Sequence, residues 1–489
     1  MLALPLASSD MRDHTTPLLS FLQKHRAPGG NGSAEEQDDL VDIKAFESLR
    51  EVAVRAESNE PEKRLAYHHL LSNLLPRLVG HEKDLQLQVC WSDPFIKSQG
   101  KTISHSLYFD WANVLWNHAA SLSLQAALTD LSLSDDNIRE ACRLYQQASG
   151  TFEFIRAQLL PRIDVKMTAL SDTGLCMASY MMLAQAQLCF YRKAVKDHKA
   201  GSMKPLIVAK LAKQCAEFYS TTALHCRPEL LRGDASWYAH CEFESKCFAA
   251  AAEYWQATAA QEASLAMGTG EAIARLTAAE ALLQSALALS QQHKLAPSVA
   301  ATADELLMRV RALKNTAVKD NDMIFFSTVP PAAELQAIVP VAMVKPIPLP
   351  EPKGPVPRLF GAVLPASLQR TLALVRERAT AMAQTAQRDG SQATDQAREM
   401  LASVGLPTSL EVYKSGDSGA GVPDSLWDKV LATQQAGGLA MLQQRYPELQ
   451  ASSQRCYAAI EAVEEVLQRE EQADAEAGTA HLWGGGVRQ

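Results

Sequence analysis

Several features that would assign this 489-residue chain to a special class are missing from it. It has no run of about 18 consecutive apolar residues, the length that a membrane-spanning helix needs, so the sequence predicts no membrane span. Its first residues lack a basic segment and a long apolar run, so we expect no secretory signal. The formal net charge of −8 gives no support for nucleic-acid binding, and we predict no nucleic-acid partner.

Closely spaced cysteine pairs are also missing. The nine cysteines are scattered, with no C-x-x-C pair, which favours free thiols in a reducing compartment over a disulfide framework. With 47% hydrophobic and 21% charged residues, the composition is that of a folded globular protein. The chain is longer than one hydrophobic core normally requires, so more than one structural unit is expected.

Motifs of the common enzyme classes are absent from the sequence. There is no phosphate-binding G-x-x-x-x-G-K-S/T loop, no G-x-S-x-G nucleophile motif and no H-E-x-x-H zinc motif. Two His-Cys pairs, at 225–226 and 240–241, carry zinc-ligating side chains. Neighbours on a helix point about 100° apart, however, so we expect a buried cysteine and a marginal histidine in each pair. We predict no catalytic residue, no cofactor and no bound metal.

Two single residues, His118 and Cys176, are also considered as candidates for a chemical role. His118 shares a helix face with Trp111 and Leu122, which predicts a hydrogen-bonded core histidine. Cys176 would need a histidine partner and a lowered pKa to act as a nucleophile, and the sequence shows neither.

Helical periodicity dominates the chain from about residue 40 onward. A series of neighbouring helices that pack on one another predicts a mainly α, elongated solenoid of helical hairpins, with the turn Gly268-Thr269-Gly270 between two of them. The predicted helices are 105–128, 136–160, 174–198, 205–226, 234–266, 270–293 and 298–316.

One segment has the period of a strand instead. In 84–91, leucine and valine alternate with polar residues, which predicts a half-buried strand. A strand needs a mate, and the apolar start Leu2–Leu6 is the nearest candidate, so we expect a small N-terminal sheet. Residues 27–39, rich in Gly, Pro and Asp, are predicted to form a loop.

The character of the chain changes after residue 328. Residues 329–357 contain prolines that forbid a continuous helix, and their apolar side chains predict an extended segment lying along the helical body. Long helices are predicted beyond it, at 364–407, either continuous or interrupted near Asp389-Gly390-Ser391, at 425–444, with Gly437-Gly438 as a candidate break near its end, and at 447–474.

A set of motifs occurs in the order found in the Bro-type (BRO) domain of the ALIX and PalA adaptor family. The chain resembles this family in WSDPF at 91, NVLWNHAAS at 113, YQQASGTF at 145, LAQAQLCFYRKA at 183, IVAKLAKQCAEFY at 207 and KDNDMIFFSTVP at 319. The segments LPASLQRTLA at 364 and MLASVGLP at 400 resemble the first helix of the V-shaped domain that follows in ALIX. The resemblance implies a boomerang-shaped Bro-type domain at 1–360 and a partial first arm of the V-shaped domain at 361–489.

The resemblance also implies a partner-binding surface. Bro-type domains bind the C-terminal amphipathic helix of the main ESCRT-III filament subunit through an apolar patch, which falls by position on Phe190, Ile207 and Leu211. A flanking acidic and basic pair falls on Asp135 and Arg139. We expect the patch to be solvent-facing in the free protein.

Spacing alone supports part of that assignment. Ile207 and Leu211 are four residues apart and lie on one helix face, with Phe190 near the end of the preceding helix. The alternative left open by periodicity is that Phe190 and Leu211 close the core of the hairpin. The surrounding lysine-rich sequence favours an acidic partner helix or an anionic membrane surface.

The expected function is therefore that of a non-enzymatic adaptor. By the resemblance it is cytoplasmic, is recruited to endosomes with peripheral membrane association, and acts in endosomal sorting, multivesicular body formation and membrane budding. The alternative is a scaffold in ambient-pH signalling that recruits a calpain-like protease to ESCRT-III. The chain departs from ALIX at Phe325, where ALIX has a tyrosine that can be phosphorylated.

Overall fold

The computed structural model describes residues 2–25, 32–78, 81, 84–85, 87–96, 100–227, 236–361, 363–406, 409–410 and 424–480. Within these ranges the backbone is mainly α-helical and carries a small sheet near the N-terminal end, so the predicted fold class is confirmed. The chain divides into two structural units, Met1–Glu377 and Arg378–Gln489.

Thirteen helices account for most of the described backbone. In chain order they are α1 (Thr15–His25), α2 (Gly32–Arg55), α3 (Pro61–Leu78), α4 (Leu107–Leu128), α5 (Asp135–Phe154), α6 (Asp172–Lys199), α7 (Pro205–His225), α8 (Ser236–Ala263), α9 (Leu265–Gln292), α10 (Pro297–Asp320), α11 (Ala366–Ser403), α12 (Asp424–Gln435) and α13 (Gly438–Ala480). From α4 to α10 each helix packs on the next one along the chain.

All the helices predicted between residues 105 and 316 are present, and the main difference is at the end of α5. It ends at Phe154 rather than near residue 160, and continues as a π-helical turn (Ile155–Leu159) and a 3₁₀ turn (Leu160–Arg162). The start of α5 follows from its cap, since the hydroxyl of Ser134 accepts a hydrogen bond from the backbone N–H of Asn137 at 3.1 Å.

The sheet has a different partner strand from the one predicted. Strand β1 (Val89–Trp91) pairs antiparallel with β2 (Thr102–Ser104), with Val89 opposite Ser104. The prediction that Leu2–Leu6 pairs with this strand was wrong. The backbone of that segment forms hydrogen bonds with side chains of α4 instead: the N–H of Leu4 donates to Ser123 Oγ at 3.0 Å. The start of the chain reaches β1 through a bridge from Ser9 to Trp91 and through a contact between Asp10 and the Cys90 thiol.

The predicted loop and one predicted turn were also wrong in part. Residues 32–39 are helical and belong to α2, while 27–31 lie outside the described residues. The Gly268-Thr269-Gly270 turn is inside α9. These glycines permit close backbone approach instead: a Cβ on Gly268 would lie 2.0 Å from the carbonyl oxygen of Ala260, and one on Gly270 would lie 2.2 Å from that of Thr328.

The proline-rich segment lies along the helices of the first unit, as predicted. We call residues 335–349 the strap. The carbonyl of Gln336 accepts a hydrogen bond from Arg275 of α9 at 2.8 Å, and the N–H of Ile347 donates to the carbonyl of Gln146 of α5 at 3.0 Å. A Cβ on Gly150 would lie 1.8 Å from the carbonyl oxygen of Ile347, so only glycine lets the strap cross α5 here.

His118 is a core histidine, as predicted. It is 3% exposed, and its Nδ1–H donates to the carbonyl of Pro61 at 2.9 Å. Burial, opposed by this hydrogen bond, lowers the pKa of His118 to about 4.

Acidification should therefore weaken the fold through His118. Between its unfolded pKa of 6.5 and its folded pKa of about 4, the unfolded chain binds a proton that the folded chain does not, so stability falls as the pH falls. We expect this residue to contribute a loss of about 2 kcal/mol between pH ~7.5 and ~5. Urea titrations at both pH values should show His118→Gln losing about 2 kcal/mol less than wild type. Equal losses would contradict this assignment.

One segment of α9, Gly268–Gln292, is long and apolar enough to cross a membrane by length and composition alone. Its Ala272, Leu276 and Leu283 side chains are fully buried, and α9 packs between α8 and α10. The core helix of a soluble protein passes the same test, so this segment is weak evidence for a membrane span.

The second unit contains most of α11 together with α12 and α13. The first long helix, α11, is continuous through Gly390, so the uninterrupted form of that prediction is confirmed. The predicted break near Gly437-Gly438 is also confirmed, since α12 ends at Gln435 and α13 begins at Gly438, and the φ of +103° at Gly437 suits glycine. The boundary predicted at residues 445–446 was wrong, because Pro447 lies inside α13.

Candidate partner-binding surface

The predicted patch lies on the hairpin formed by α6 and α7. The hydroxyl of Ser171 caps α6 by accepting a hydrogen bond from the N–H of Gly174 at 3.0 Å, and Pro205 occupies the first turn of α7. In the turn between the helices, Gly201 has a φ of +78° and His198 Nδ1–H donates to the carbonyl of Met203 at 2.9 Å. These local contacts fix how the two helices face each other.

The members of the predicted patch differ in exposure. Ile207 is 45% exposed, whereas Phe190 is half-buried and packs against the main hydrophobic core. We call Phe190, Ile207 and Leu211 the hairpin patch, and its role in binding stays a prediction.

Leu211 departs from the expectation. It is 5% exposed, so the prediction that it faces solvent in the free protein was wrong. It belongs to a small apolar cluster with Ala194 and Val208, against which Trp255 of α8 packs. The following helix therefore covers a position that two-helix periodicity left open.

An apolar residue beside the patch was missed at the sequence level. Leu206 is 40% exposed and precedes Ile207 in the first turn of α7. None of the predicted patch residues is three or four positions from Leu206 along α7, so periodicity did not indicate this residue. Together the two side chains form an exposed apolar end of α7.

The strap adds further apolar side chains next to the patch. The N–H of Val341 donates to the carbonyl of Lys210 at 3.3 Å, and the carbonyl of Val341 accepts from Gln187 Nε2 at 2.9 Å. Gln187 Oε1 accepts in turn from the N–H of Met343 at 3.0 Å. Val341 and Met343 are exposed, and their anchor points lie about one helical turn from the patch residues on α6 and α7.

The acidic residue of the predicted pair has basic partners on α6. Asp135 lies at the start of α5, with its carboxylate 2.7 Å from Lys196 Nζ and 3.2 Å from Lys193 Nζ. Hydrogen bonds from Lys196 and Lys193 hold the pKa of Asp135 below its usual value. Lys193 is also paired with Asp197.

The basic residue of the pair is not joined to Asp135. Arg139 pairs with Asp136 at 2.8 Å, and both side chains are largely exposed. This i, i+3 pair is a weak surface interaction that a ligand can replace at small cost. The roles of Asp135 and Arg139 in binding stay predictions.

The local positive charge is only partly compensated. Asp135 and Asp197 neutralise two of the lysines of α6. Five other cations of the hairpin have no ion-pair partner among the described residues: Arg192, Lys199, Lys204, Lys210 and Lys213. A chain of net charge −8 thus presents a basic region around its exposed apolar residues.

The His-Cys pairs have the arrangement that was predicted. Cys226 and Cys241 are buried, and the ring of His225 stacks on Tyr180 with the centroids 6.2 Å apart. The pKa of the Cys241 thiol is raised, mainly by a hydrogen bond with Cys226 and next by burial. Burial also raises the pKa of Cys176, which opposes a nucleophilic role.

The family of BRO1-like domains matches residues 1–383, which is more than half of the chain. The chain belongs to the BRO1-like domain family. Mouse programmed cell death 6-interacting protein is 29% identical over 477 residues, covering 94% of this chain and 52% of the mouse protein. This BRO1-like protein therefore spans about half the length of that relative.

Solved structures of ALIX have the same fold as this BRO1-like protein. ALIX in complex with the SIVmac239 PYKEVTEDL late domain has a TM-score of 0.72 at 27% identity, covering 99% of this chain and 68% of the ALIX chain. The ALIX BRO1–CHMP4C complex has a TM-score of 0.62 at 26% identity, covering 72% and 96% respectively. The resemblance inferred from sequence motifs is confirmed.

Proposed function

We propose that this protein is a non-enzymatic adaptor whose hairpin patch binds the C-terminal amphipathic helix of an ESCRT-III filament subunit. The observation that supports this most is the match to the ALIX BRO1–CHMP4C complex, since CHMP4C is an ESCRT-III subunit and the match covers 96% of that ALIX chain. The adaptor would act in endosomal sorting and membrane budding.

The exposed apolar end of α7 supplies the binding free energy in this proposal. Ile207 and Leu206 are already more than half buried, so burying the rest of each side chain would contribute about 0.6–1.4 kcal/mol. Association entropy and side-chain ordering offset part of this gain, so a micromolar affinity is expected rather than a nanomolar one. An amphipathic helix fits because its apolar side chains recur every three or four residues along one face.

Charge favours a partner of one kind. Cations of the hairpin for which the described residues offer no ion-pair partner flank the apolar residues in the sequence, so an incoming helix with acidic residues at its polar margin would be attracted. The same charge would favour peripheral contact with an anionic membrane. In this proposal the protein is cytoplasmic and is recruited to endosomes.

The domain prediction is kept in this proposal. A Bro-type domain at 1–360 would carry the docking surface, and 361–489 would form part of the first arm of a V-shaped domain. The ambient-pH scaffold stays the alternative function, and it would add a calpain-like protease to the same ESCRT-III contact.

Replacing Ile207 with aspartate should abolish binding of the ESCRT-III helix. Calorimetric titration of the full chain with the C-terminal helix peptide should show micromolar binding for wild type and a loss of at least about tenfold for Ile207→Asp, since a charge replaces a central apolar contact. The aspartate would also repel an acidic partner.

Leu224→Asp is the matched control. Leu224 is 49% exposed on the same helix, and its 17-residue separation from Ile207 corresponds to about 25 Å of helix. Its affinity should stay within about twofold of wild type. Equal losses in both variants, or no binding by folded wild type, would contradict the proposed surface.

A further inference from the structure

Two histidines and an aspartate converge at one edge of the first unit. His25 is the last residue of α1, and His81 and Asp84 lie between α3 and β1. A ring nitrogen of each histidine and a carboxylate oxygen of Asp84 all lie within 4.8 Å of one another. These side chains belong neither to the hairpin patch nor to the His-Cys pairs considered from sequence.

One ring nitrogen of His25 is buried and faces Asp84. The residue is 8% exposed, and its Nε2 atom is buried without a hydrogen-bond partner among the described residues. That nitrogen lies 3.1 Å from Oδ2 of Asp84. These two atoms face each other at about the spacing of neighbouring ligand atoms around one metal ion.

The ring of His81 is oriented from its other side. Its Nε2 is 3.1 Å from the carbonyl oxygen of Leu364, which can only accept a hydrogen bond. In the neutral ring the proton is therefore on Nε2, which leaves the lone pair of Nδ1 for a ligand. Metal-binding histidines commonly donate their second N–H to a carbonyl in this way, which fixes the ring and the tautomer.

We propose that His25, His81 and Asp84 form a zinc site, with water in a fourth position. Two imidazole nitrogens with one carboxylate oxygen suit Zn²⁺, whereas Mg²⁺ and Ca²⁺ prefer oxygen ligands alone. Ligand atoms around tetrahedral zinc lie about 3.3 Å apart, so the ligand atoms that are farthest apart must approach each other by up to about 1.5 Å.

Lys24 is the group that competes with the ion. Its Nζ lies 2.5 Å from Oδ1 of Asp84, and its side chain is 62% exposed. Lys24 contacts Oδ1 of Asp84, whereas His25 faces Oδ2. The lysine side chain can therefore turn to solvent when a cation binds. The exposed pair contributes little to stability, so its loss does not oppose binding strongly.

The position of the cluster gives the ion a structural consequence. Leu364 precedes α11, and Gln369 in the first turns of α11 donates through Nε2 to the carbonyl of His25 at 3.0 Å. Zinc would therefore join α1, the segment after α3 and the start of α11 around one centre. We expect it to raise the melting temperature of the first unit.

Zinc titration of the full chain tests the site. Metal-free protein should bind one zinc ion, measured by calorimetry and by competition with a chromophoric chelator. Asp84→Asn and His81→Gln should each weaken binding at least about tenfold, because each removes a ligand. Cobalt should give the intense visible absorption of a four-coordinate site in wild type and lose it in both variants.

Asp10→Asn is the matched control, since Asp10 also pairs with a lysine, Lys101, on the surface. It should bind zinc as wild type does, and circular dichroism should show all variants folded. The absence of zinc binding at millimolar concentration would overturn the proposal. So would binding that survives both ligand substitutions but is lost in Cys226→Ser, or magnesium binding of equal strength.

Discussion

Leu211→Asp should lower the free energy of unfolding by about 4 kcal/mol, while Ile207→Asp should change it by less than about 1 kcal/mol. Leu211 is 5% exposed and Ile207 is 45% exposed, although they lie one turn apart on the same helix. The pair of variants therefore separates core from surface within a single predicted patch.

The expected loss at Leu211 has two causes. Truncating a buried leucine removes apolar contacts with Val208 and Trp255 and leaves a cavity, which costs about 3 kcal/mol. The new carboxylate is also placed away from water without a partner, which adds to the cost. At Ile207 the side chain faces solvent, and an aspartate in the first turn of α7 is favoured by the helix dipole.

Urea denaturation of both variants at neutral pH measures the difference. If Leu211→Asp were as stable as wild type, Leu211 would face solvent in solution, which would contradict its burial beneath Trp255. The result also decides how a binding defect is interpreted, because lost binding in an unfolded variant says nothing about a docking surface. Ile207→Asp is for this reason the informative binding variant.

Asp110→Ala should destabilise the fold by about 3–5 kcal/mol. Asp110 is fully buried, and its carboxylate accepts hydrogen bonds from the side chains of Arg50 (2.8 and 2.9 Å), Tyr67 (2.9 Å) and Trp91 (2.7 Å). It thus joins α2, α3, β1 and α4. Burial alone would raise the pKa of Asp110, but the Arg50 guanidinium holds it below the usual value.

The large loss of stability in Asp110→Ala comes from the buried partners of the carboxylate, which remain in the variant. Removal of the carboxylate leaves Arg50, which is 1% exposed, as a buried charge without its partner. The double variant Arg50→Met with Asp110→Leu should recover part of the loss, because it removes the stranded charge. The hydroxyl of Tyr67 and the indole N–H of Trp91 still lack an acceptor, so recovery is incomplete.

Asp136→Ala is the matched control for this measurement. Asp136 also pairs with an arginine, Arg139, but both side chains are largely exposed, and the expected change is below about 1 kcal/mol. Thermal and urea unfolding of the three variants checks the prediction. A loss below about 1 kcal/mol for Asp110→Ala would contradict the role assigned to the buried carboxylate.

Much of the helical architecture was predictable because amphipathic periodicity is a local signal. The ends of α6 and α7 were placed within two residues by their apolar stripes. Strand pairing was not predictable, because β1 takes its mate through a contact that no local pattern specifies. The glycines of α9 misled for a related reason, since their small size serves packing against distant backbone.

The candidate surface was predictable only in part. Motifs placed the hairpin patch by position, and spacing put Ile207 and Leu211 on one face. Whether a face is covered depends on a third helix, so the burial of Leu211 under Trp255 of α8 required the structure. The pairing of Asp135 with α6 and the convergence of His25 with His81 likewise depend on tertiary contacts.

The strap also determines the order in which the first unit can be completed during synthesis. Its Lys345 N–H bonds to Gln146 Oε1 across 199 residues of sequence, so α5, α6 and α7 are made well before their extended partner. Segments near the N-terminus leave the ribosome first and can pair before the strap exists. The hairpin patch therefore gains its Val341 and Met343 neighbours late, once the growing chain has passed the proline-rich segment.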